Sequence, residues 1–272
     1  MELKHLLGRT GFVETPGALL LLYRLADGDC LLFDSGREPC PELLDLLDRE
    51  GLRVRAVLCT HLHEDHIANN EALIARHGAE IFASETDIRE QRRREPVAYP
   101  ITALPEGTVL ELAGASIGLL PLPGHTMGQT AYITPDGVCC VGDALMTLKP
   151  LDRAKLPYMV DVDRAMESME RLRQTDYPWY AAAHKGVVSR AELPELIDRN
   201  LQKELDLYEL LRRMLSGPTE IERAVTDFIR GTGVLSQKMV EEPYVRETAR
   251  ARVLALVHAG EFALEDGQVV PR

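Results

Sequence analysis

The chain has 272 residues, 45% of them hydrophobic and 27% charged, with a mean hydropathy of −0.13. Those values argue against a disordered chain, a collagen-like fibre and a disulfide-dense mini-protein, and the length predicts one large domain or two smaller ones. A net charge of −12 repels phosphate backbones, so nucleic acid is a disfavoured partner from the outset.

The first ten residues lack a long apolar core followed by a small-residue cleavage site, so no signal peptide is expected. Residues 18–22, the longest apolar run, fall far short of the roughly 20 residues that a membrane-spanning helix needs. The five cysteines (Cys30, Cys40, Cys59, Cys139 and Cys140) are odd in number and show no CxxC spacing. Reduced thiols in a soluble cytoplasmic protein, with no membrane partner, are the expectation.

In chain order, residues 18–25 and 30–33 read as strands joined by a turn holding Asp27-Gly28, and Pro41–Arg49 as a helix stopped by Gly51. A buried strand follows over 54–59, a helix over 67–77 closed by Gly78, and a short strand over 81–83. Residues 85–94 form a polar helix or loop. Two strand pairs come next, 109–112 with 116–121 and 130–134 with 138–141, the second joined by Pro135-Asp136-Gly137. A helix over 161–174 and a last strand over 179–183 complete a layered α/β pattern. Beyond residue 191 the texture turns helical (193–215, 218–229, 244–259) and ends in a small hairpin around Asp266-Gly267. Three helices and a hairpin give the order of a winged-helix module, although the segment is acidic overall. The domain expectation is therefore 1–190 and 191–272.

The most informative segment is Thr60-His61-Leu62-His63-Glu64-Asp65-His66, which follows a strand and opens a helix. Three imidazoles and a carboxylate within six residues offer ligands for a borderline cation such as Zn²⁺. His125 (in Pro123-Gly124-His125), Asp143 (in Gly142-Asp143) and His184 also stand at strand ends or turns, whereas His5, His77 and His258 have no nearby partner and read as structural. Asp34, in Phe33-Asp34-Ser35-Gly36, reads either as a turn cap or as an outer hydrogen-bond partner orienting a ligand.

Taken in order, these motifs resemble those of the metallo-β-lactamase-fold hydrolases (the glyoxalase II, lactonase and endoribonuclease groups): His-x-His-x-Asp-His, Gly-His, Gly-Asp and a final strand-end His. The resemblance covers about residues 1–190. It implies a four-layer αββα sandwich, here followed by a small, mainly helical, winged-helix-like domain. It further implies one metal on His61, His63 and His125, a second on Asp65, His66 and His184, and Asp143 bridging them. Two Zn²⁺ per chain are expected, with Fe or Mn as alternatives. The implied activity is cleavage of a small ester, thioester or lactone by a hydroxide bridging the metals, with Asp65 also relaying a proton.

Departures narrow the group. Asp143 stands at the bridging position that class B β-lactamases lack. The Gly-Cys-Gly-Lys/Arg stretch by which glyoxalase II enzymes hold glutathione is replaced by Leu145-Met146-Thr147-Leu148-Lys149. Met146 occupies the place of the tyrosine with which the best-known acyl-homoserine lactonases assist the leaving group. Tyr158 is either a substitute proton donor or an apolar lid residue. Arg89, Arg92, Arg93 and Arg94 either meet an anionic substrate or form a solvated face paired to Glu85, Glu90 and Glu95. A small acyl compound is the expected substrate and the C-terminal helices a dimerisation surface or lid. An endoribonuclease or phosphodiesterase, a mononuclear iron persulfide dioxygenase-like enzyme and a catalytically silent binder are the competing readings.

Overall fold

The computed structural model describes residues 1–94, 96–184 and 186–272. Seven strands form one sheet in sequential order: Leu3–Leu7, Thr10–Thr15, Ala18–Arg24, Asp29–Phe33, Arg53–Leu58, Glu80–Ala83 and Thr102–Ala103. Six more form a second sheet, which in spatial order runs Gly186–Ser189, Trp179–Ala182, Val138–Gly142, Thr130–Ile133, Ala115–Pro121 and Val109–Leu112.

The two sheets are pressed together because their central strands are apolar on both faces. Along Ala18–Arg24, Leu19 and Leu21 enter the core between the sheets, while Leu20 and Leu22 enter the core under the helix Pro41–Arg49. The same alternation sends Cys140 between the sheets and Cys139 and Val141 outward, towards the helix Val162–Arg173. Helix, sheet, sheet, helix is thus the layer order. The sheets are stitched near the functional rim by Leu19 N–H donating to the Ala183 carbonyl (2.7 Å) and by the Tyr132 hydroxyl donating to the Cys59 carbonyl (2.8 Å).

From residue 18 onward the elements follow the sequence reading with local differences, while the opening strands Leu3–Leu7 and Thr10–Thr15 and the short helix Leu148–Arg153 have no counterpart in that reading. The helix expected over 67–77 is broken into Glu64–Ile67 and Asn70–His77. Asn69 at the break accepts from Cys40 N–H and donates to the Ser35 and Glu38 carbonyls, which pins the chain there instead of letting one helix run through. Trp179–Ala182 is followed by a further strand, Gly186–Ser189, whose four half-buried residues are too few to show a periodicity. The polar stretch Glu85–Arg94 is a helix, with Arg89 and Arg93 paired to Glu85 and Glu90; Glu95 lies outside the described residues. All five cysteines are buried and unpaired. Among the described residues, no helix is long and apolar enough to cross a membrane.

After Ser189 come the helices Leu193–Met214, Ile221–Gly231, Gln237–Glu241 and Pro243–His258, with a small sheet ordered Thr219–Glu220, Gln268–Pro271, Phe262–Glu265. Their apolar faces share one continuous core with the outer face of the second sheet, from Leu122 and Val141 through Leu196 and Ile197 to Phe228 and Val253. At its centre Arg252, fully buried, forms a two-pronged pair with Glu204 (2.9 and 2.8 Å) and also donates to the Thr248 and Pro157 carbonyls. That one guanidinium fastens two C-terminal helices to the loop preceding Tyr158. Removing it strands a buried carboxylate, so Arg252→Ala is expected to cost about 3–5 kcal/mol in chemical denaturation. The double variant Arg252→Met with Glu204→Leu should recover much of that loss.

Candidate metal centre

Every residue of the centre stands just beyond the end of a strand. His61, His63, Asp65 and His66 follow Arg53–Leu58; His125 follows Ala115–Pro121; Asp143 follows Val138–Gly142; His184 follows Trp179–Ala182. Strand ends are rigid, and packing the two sheets face to face brings all seven side chains to one rim.

Two glycines permit the approach. Gly142 has φ +55°, and a Cβ there would sit 2.6 Å from Thr60 Oγ1; a Cβ on Gly124 (φ +140°) would sit 2.3 Å from Ala165 Cα. Asp34 adopts φ +60°, a conformation costly for most residues and better tolerated by Asp. It turns a buried carboxylate onto the histidine-bearing loop. Its Oδ1 accepts from Thr60 N–H (2.7 Å), and its Oδ2 accepts from the Thr60 hydroxyl (2.9 Å) and from His66 Nδ1–H (2.8 Å). Asp34 is therefore an orienting partner and not merely a turn cap.

The donors converge in three overlapping groups. His61 Nε2 and His125 Nε2 each lie 3.0 Å from His63 Nδ1. Asp143 Oδ2 lies 3.1 Å from His184 Nε2, 3.5 Å from His66 Nε2 and 3.7 Å from His125 Nε2, so it faces both halves of the site. His184 Nε2 is also 3.3 Å from Asp65 Oδ2.

The far nitrogens are held so that the near ones face inward. His125 Nδ1 is 3.0 Å from the Tyr158 carbonyl, His184 Nδ1 is 3.2 Å from the Gly17 carbonyl, and His61 Nδ1 is 3.2 Å from Thr60 Oγ1. A carbonyl accepts only, so His125 and His184 must donate from Nδ1, and a neutral ring then presents its Nε2 lone pair to the centre. His66 Nε2 is buried without a hydrogen bond of ordinary length. This orphaned nitrogen, the opposed lone pairs and the mixed imidazole and carboxylate set fit a pair of divalent cations.

The electrostatics divide the site in two. Burial and then neighbouring imidazoles push His63 down to about 3, and burial lowers His61 well below the usual imidazole range. In the other half Asp143 draws His184 up to about 10; at His66 burial acts downward but is outweighed by Asp34 and Asp143, raising it well above the usual value. For Asp65, burial is outweighed by the His184 hydrogen bond, leaving its carboxyl at about 2. One half is thus a set of neutral donors, while the other balances its carboxylates with imidazole protons that a cation would replace.

The metallo-beta-lactamase superfamily model matches residues 18–184, more than half of the chain. The chain belongs to the metallo-beta-lactamase superfamily. A hydroxyacylglutathione hydrolase from Methylobacillus flagellatus is 35% identical over 43% of this chain and 44% of its own length, and one from Serratia proteamaculans is 27% identical over 75% and 78%. The aligned part thus spans less than half of the length of the first of these relatives. In structure, a metallo-beta-lactamase family protein from Thermus thermophilus superposes with a TM-score of 0.73 over 94% of both chains at 19% identity, which extends the likeness of fold into the C-terminal helices.

All seven residues singled out as ligands come together. His77 and His5 are structural, as expected: His77 Nδ1 accepts from Val54 N–H, and His5 Nε2 meets the Gly8 carbonyl. Tyr158 stands over the centre with its ring 5.2 Å from both His63 and His125, and its hydroxyl donates to Glu247 (2.6 Å), as a wall residue does. Sequence reasoning missed Asp87, which accepts from Gly128 N–H and the Thr126 hydroxyl and so braces the turn carrying His125. It also missed Tyr244 and Glu247, which reach the site from the C-terminal helix and carry no local signal.

Two outcomes are expected. Uptake of metal at pH 7 should release protons, His184 supplying one, so affinity should rise with pH up to the region of 10. Calorimetry in two buffers of different ionisation enthalpy measures that release. Asp34→Asn, which puts an amide where His66 Nδ1–H needs an acceptor, should weaken metal binding by about 10–100-fold in chelator competition.

Proposed function

We propose that the protein is a metal-dependent hydrolase of a small thioester, or of a related ester or lactone. The observation that carries this reading is the convergence of two donor sets on the shared Asp143 Oδ2. The hydroxyacylglutathione hydrolase relatives support thioester chemistry over the phosphodiester and sulfur-oxidation alternatives.

A pair of divalent cations supplies, when bound, a water acidified to near neutrality and a Lewis-acid grip on the substrate carbonyl oxygen. His61, His63 and His125 would hold one cation; Asp65, His66 and His184 would hold the other, with Asp143 between. Asp143 keeps its carboxylate ionised because His66 and His184 outweigh its burial. Asp65, partly exposed at the rim, is placed to take up or relay the proton of the attacking water. Tyr158 and Met159 cover the centre from one side and help exclude bulk water. The substrate enters a cavity of about 510 Å³ in which His63, Asp65, His125, Asp143 and His184 stand beside apolar residues such as Met146, Leu156 and Met169.

The reading rests first on metal content. Protein purified without a metal-binding tag should carry about two zinc ions per chain and hydrolyse a thioester or lactone within a panel that also includes short RNA. One tightly held iron with oxygen consumption would overturn it. Asp143→Ala should lower metal content and kcat/KM together, the latter by at least about 100-fold, beyond the effect of an outer partner. Unchanged turnover would remove Asp143 from the centre.

A further inference from the structure

Next to the cavity lined by the candidate ligands lies a second one of about 300 Å³, and His63, Glu64, Tyr158 and Tyr244 line both. Tyr158 and Tyr244, with ring centroids 5.8 Å apart, stand where the two meet. The walls of the second cavity are apolar in large part, from Leu62, Met127, Val160 and the two tyrosine rings. Met127 and Tyr244 are among the large apolar side chains that the molecule leaves exposed, and both stand at this cavity.

Its charges are nearly all of one sign. Among the described residues, Glu64, Asp87, Glu90 and Glu247 line it against one cation, Arg94, with Glu90 also paired to Arg93 outside the lining. The Arg94 guanidinium is already engaged two-pronged by Glu247, which in turn accepts from the Tyr158 hydroxyl. An anionic group entering here would meet more carboxylates than cations among the described lining residues, and Arg94 is committed to holding the partition in place. An uncharged hydrocarbon meets no such repulsion and gains about fourfold in affinity for each methylene removed from water.

We propose that this second cavity binds one arm of the substrate, an uncharged hydrocarbon chain, with Tyr158 and Tyr244 forming the partition past which it runs. At about 30 Å³ per water-sized group, 300 Å³ takes a chain of roughly ten heavy atoms. The inference rests on the hydrolase reading above and deepens it. It places the preferred substrate among acyl compounds with a neutral aliphatic arm and disfavours thioesters, such as those of glutathione, whose arms carry carboxylates. The arginine run reads accordingly: Arg94 braces a wall through Glu247, and Arg89 and Arg93 pair with Glu85 and Glu90, so no free cationic patch is presented by these three.

Binding of unreactive amides to the metal-loaded full chain tests the cavity separately from turnover. In calorimetry, n-octanamide should bind at least about tenfold more tightly than propanamide, and at least about tenfold more tightly than suberamic acid, the same chain ending in a carboxylate. Val160→Trp, which fills the cavity, should erase the length preference. Glu90→Gln, a near-isosteric change at a partly exposed lining position, should narrow the gap between octanamide and suberamic acid. Equal affinity for the long and short amides, or for the neutral and anionic chains, overturns the proposal. The matching thioesters are then assayed. Length-dependent binding with no hydrolysis of any of them would sink the hydrolase reading and keep the cavity; hydrolysis with no preference for length or charge would do the reverse.

Discussion

The buried carboxylate of Asp34 is the constraint on which the functional rim depends. Its two oxygens hold the Thr60 amide, the Thr60 hydroxyl and the His66 ring, and the Thr60 hydroxyl in turn meets His61. A loop and the short helix after it, which together carry four of the seven donors, are thereby fixed by a single carboxylate acceptor in a low-dielectric setting, where such bonds are strong and costly to leave unmade. The left-handed backbone of Asp34 is the strain accepted for that placement. The opposite sheet is then docked onto the same loop: Thr130 N–H donates to the Thr60 carbonyl (2.9 Å), and Gly142 leaves the space that Thr60 occupies.

The C-terminal helices share in the site as well as in the core. Arg252 and Glu204 anchor the helix Pro243–His258 against the Pro157 loop, and from that anchored helix Tyr244 and Glu247 reach the cavity. Tyr158 is held on both sides: its carbonyl fixes the His125 ring, and its hydroxyl is bound to Glu247. The strand-end histidines and the C-terminal helix are therefore joined through one short loop.

The sequence made the strands and helices of the first 190 residues largely readable because burial on both sheet faces leaves continuous apolar runs with turn residues between them. The helix over 67–77 was misread at Asn69 because its break comes from side-chain bonds to Ser35, Glu38 and Cys40, which are distant in sequence. Gly186–Ser189 escaped notice because an edge strand of partly exposed residues needs no apolar pattern. The Arg-rich stretch left two readings open; in space Arg89 and Arg93 meet Glu85 and Glu90, whereas Arg94 meets Glu247, a partner that neither reading named.

What the sequence determined by itself was the donor inventory and its order. Histidines and aspartates at strand ends, with glycines beside His125 and Asp143, are local features, and a metal centre draws its ligands from such local turns. What tertiary structure alone decided was the pairing of those donors across two sheets, the role of Asp34, the hydroxyl partner of Tyr158 and the acidic, apolar-walled second cavity. Each of these depends on residues distant in sequence, such as Arg94 and Glu247, 153 positions apart, meeting only after the core has formed. Hydrophobic periodicity specifies which face is buried, but not which polar groups the burial brings into contact.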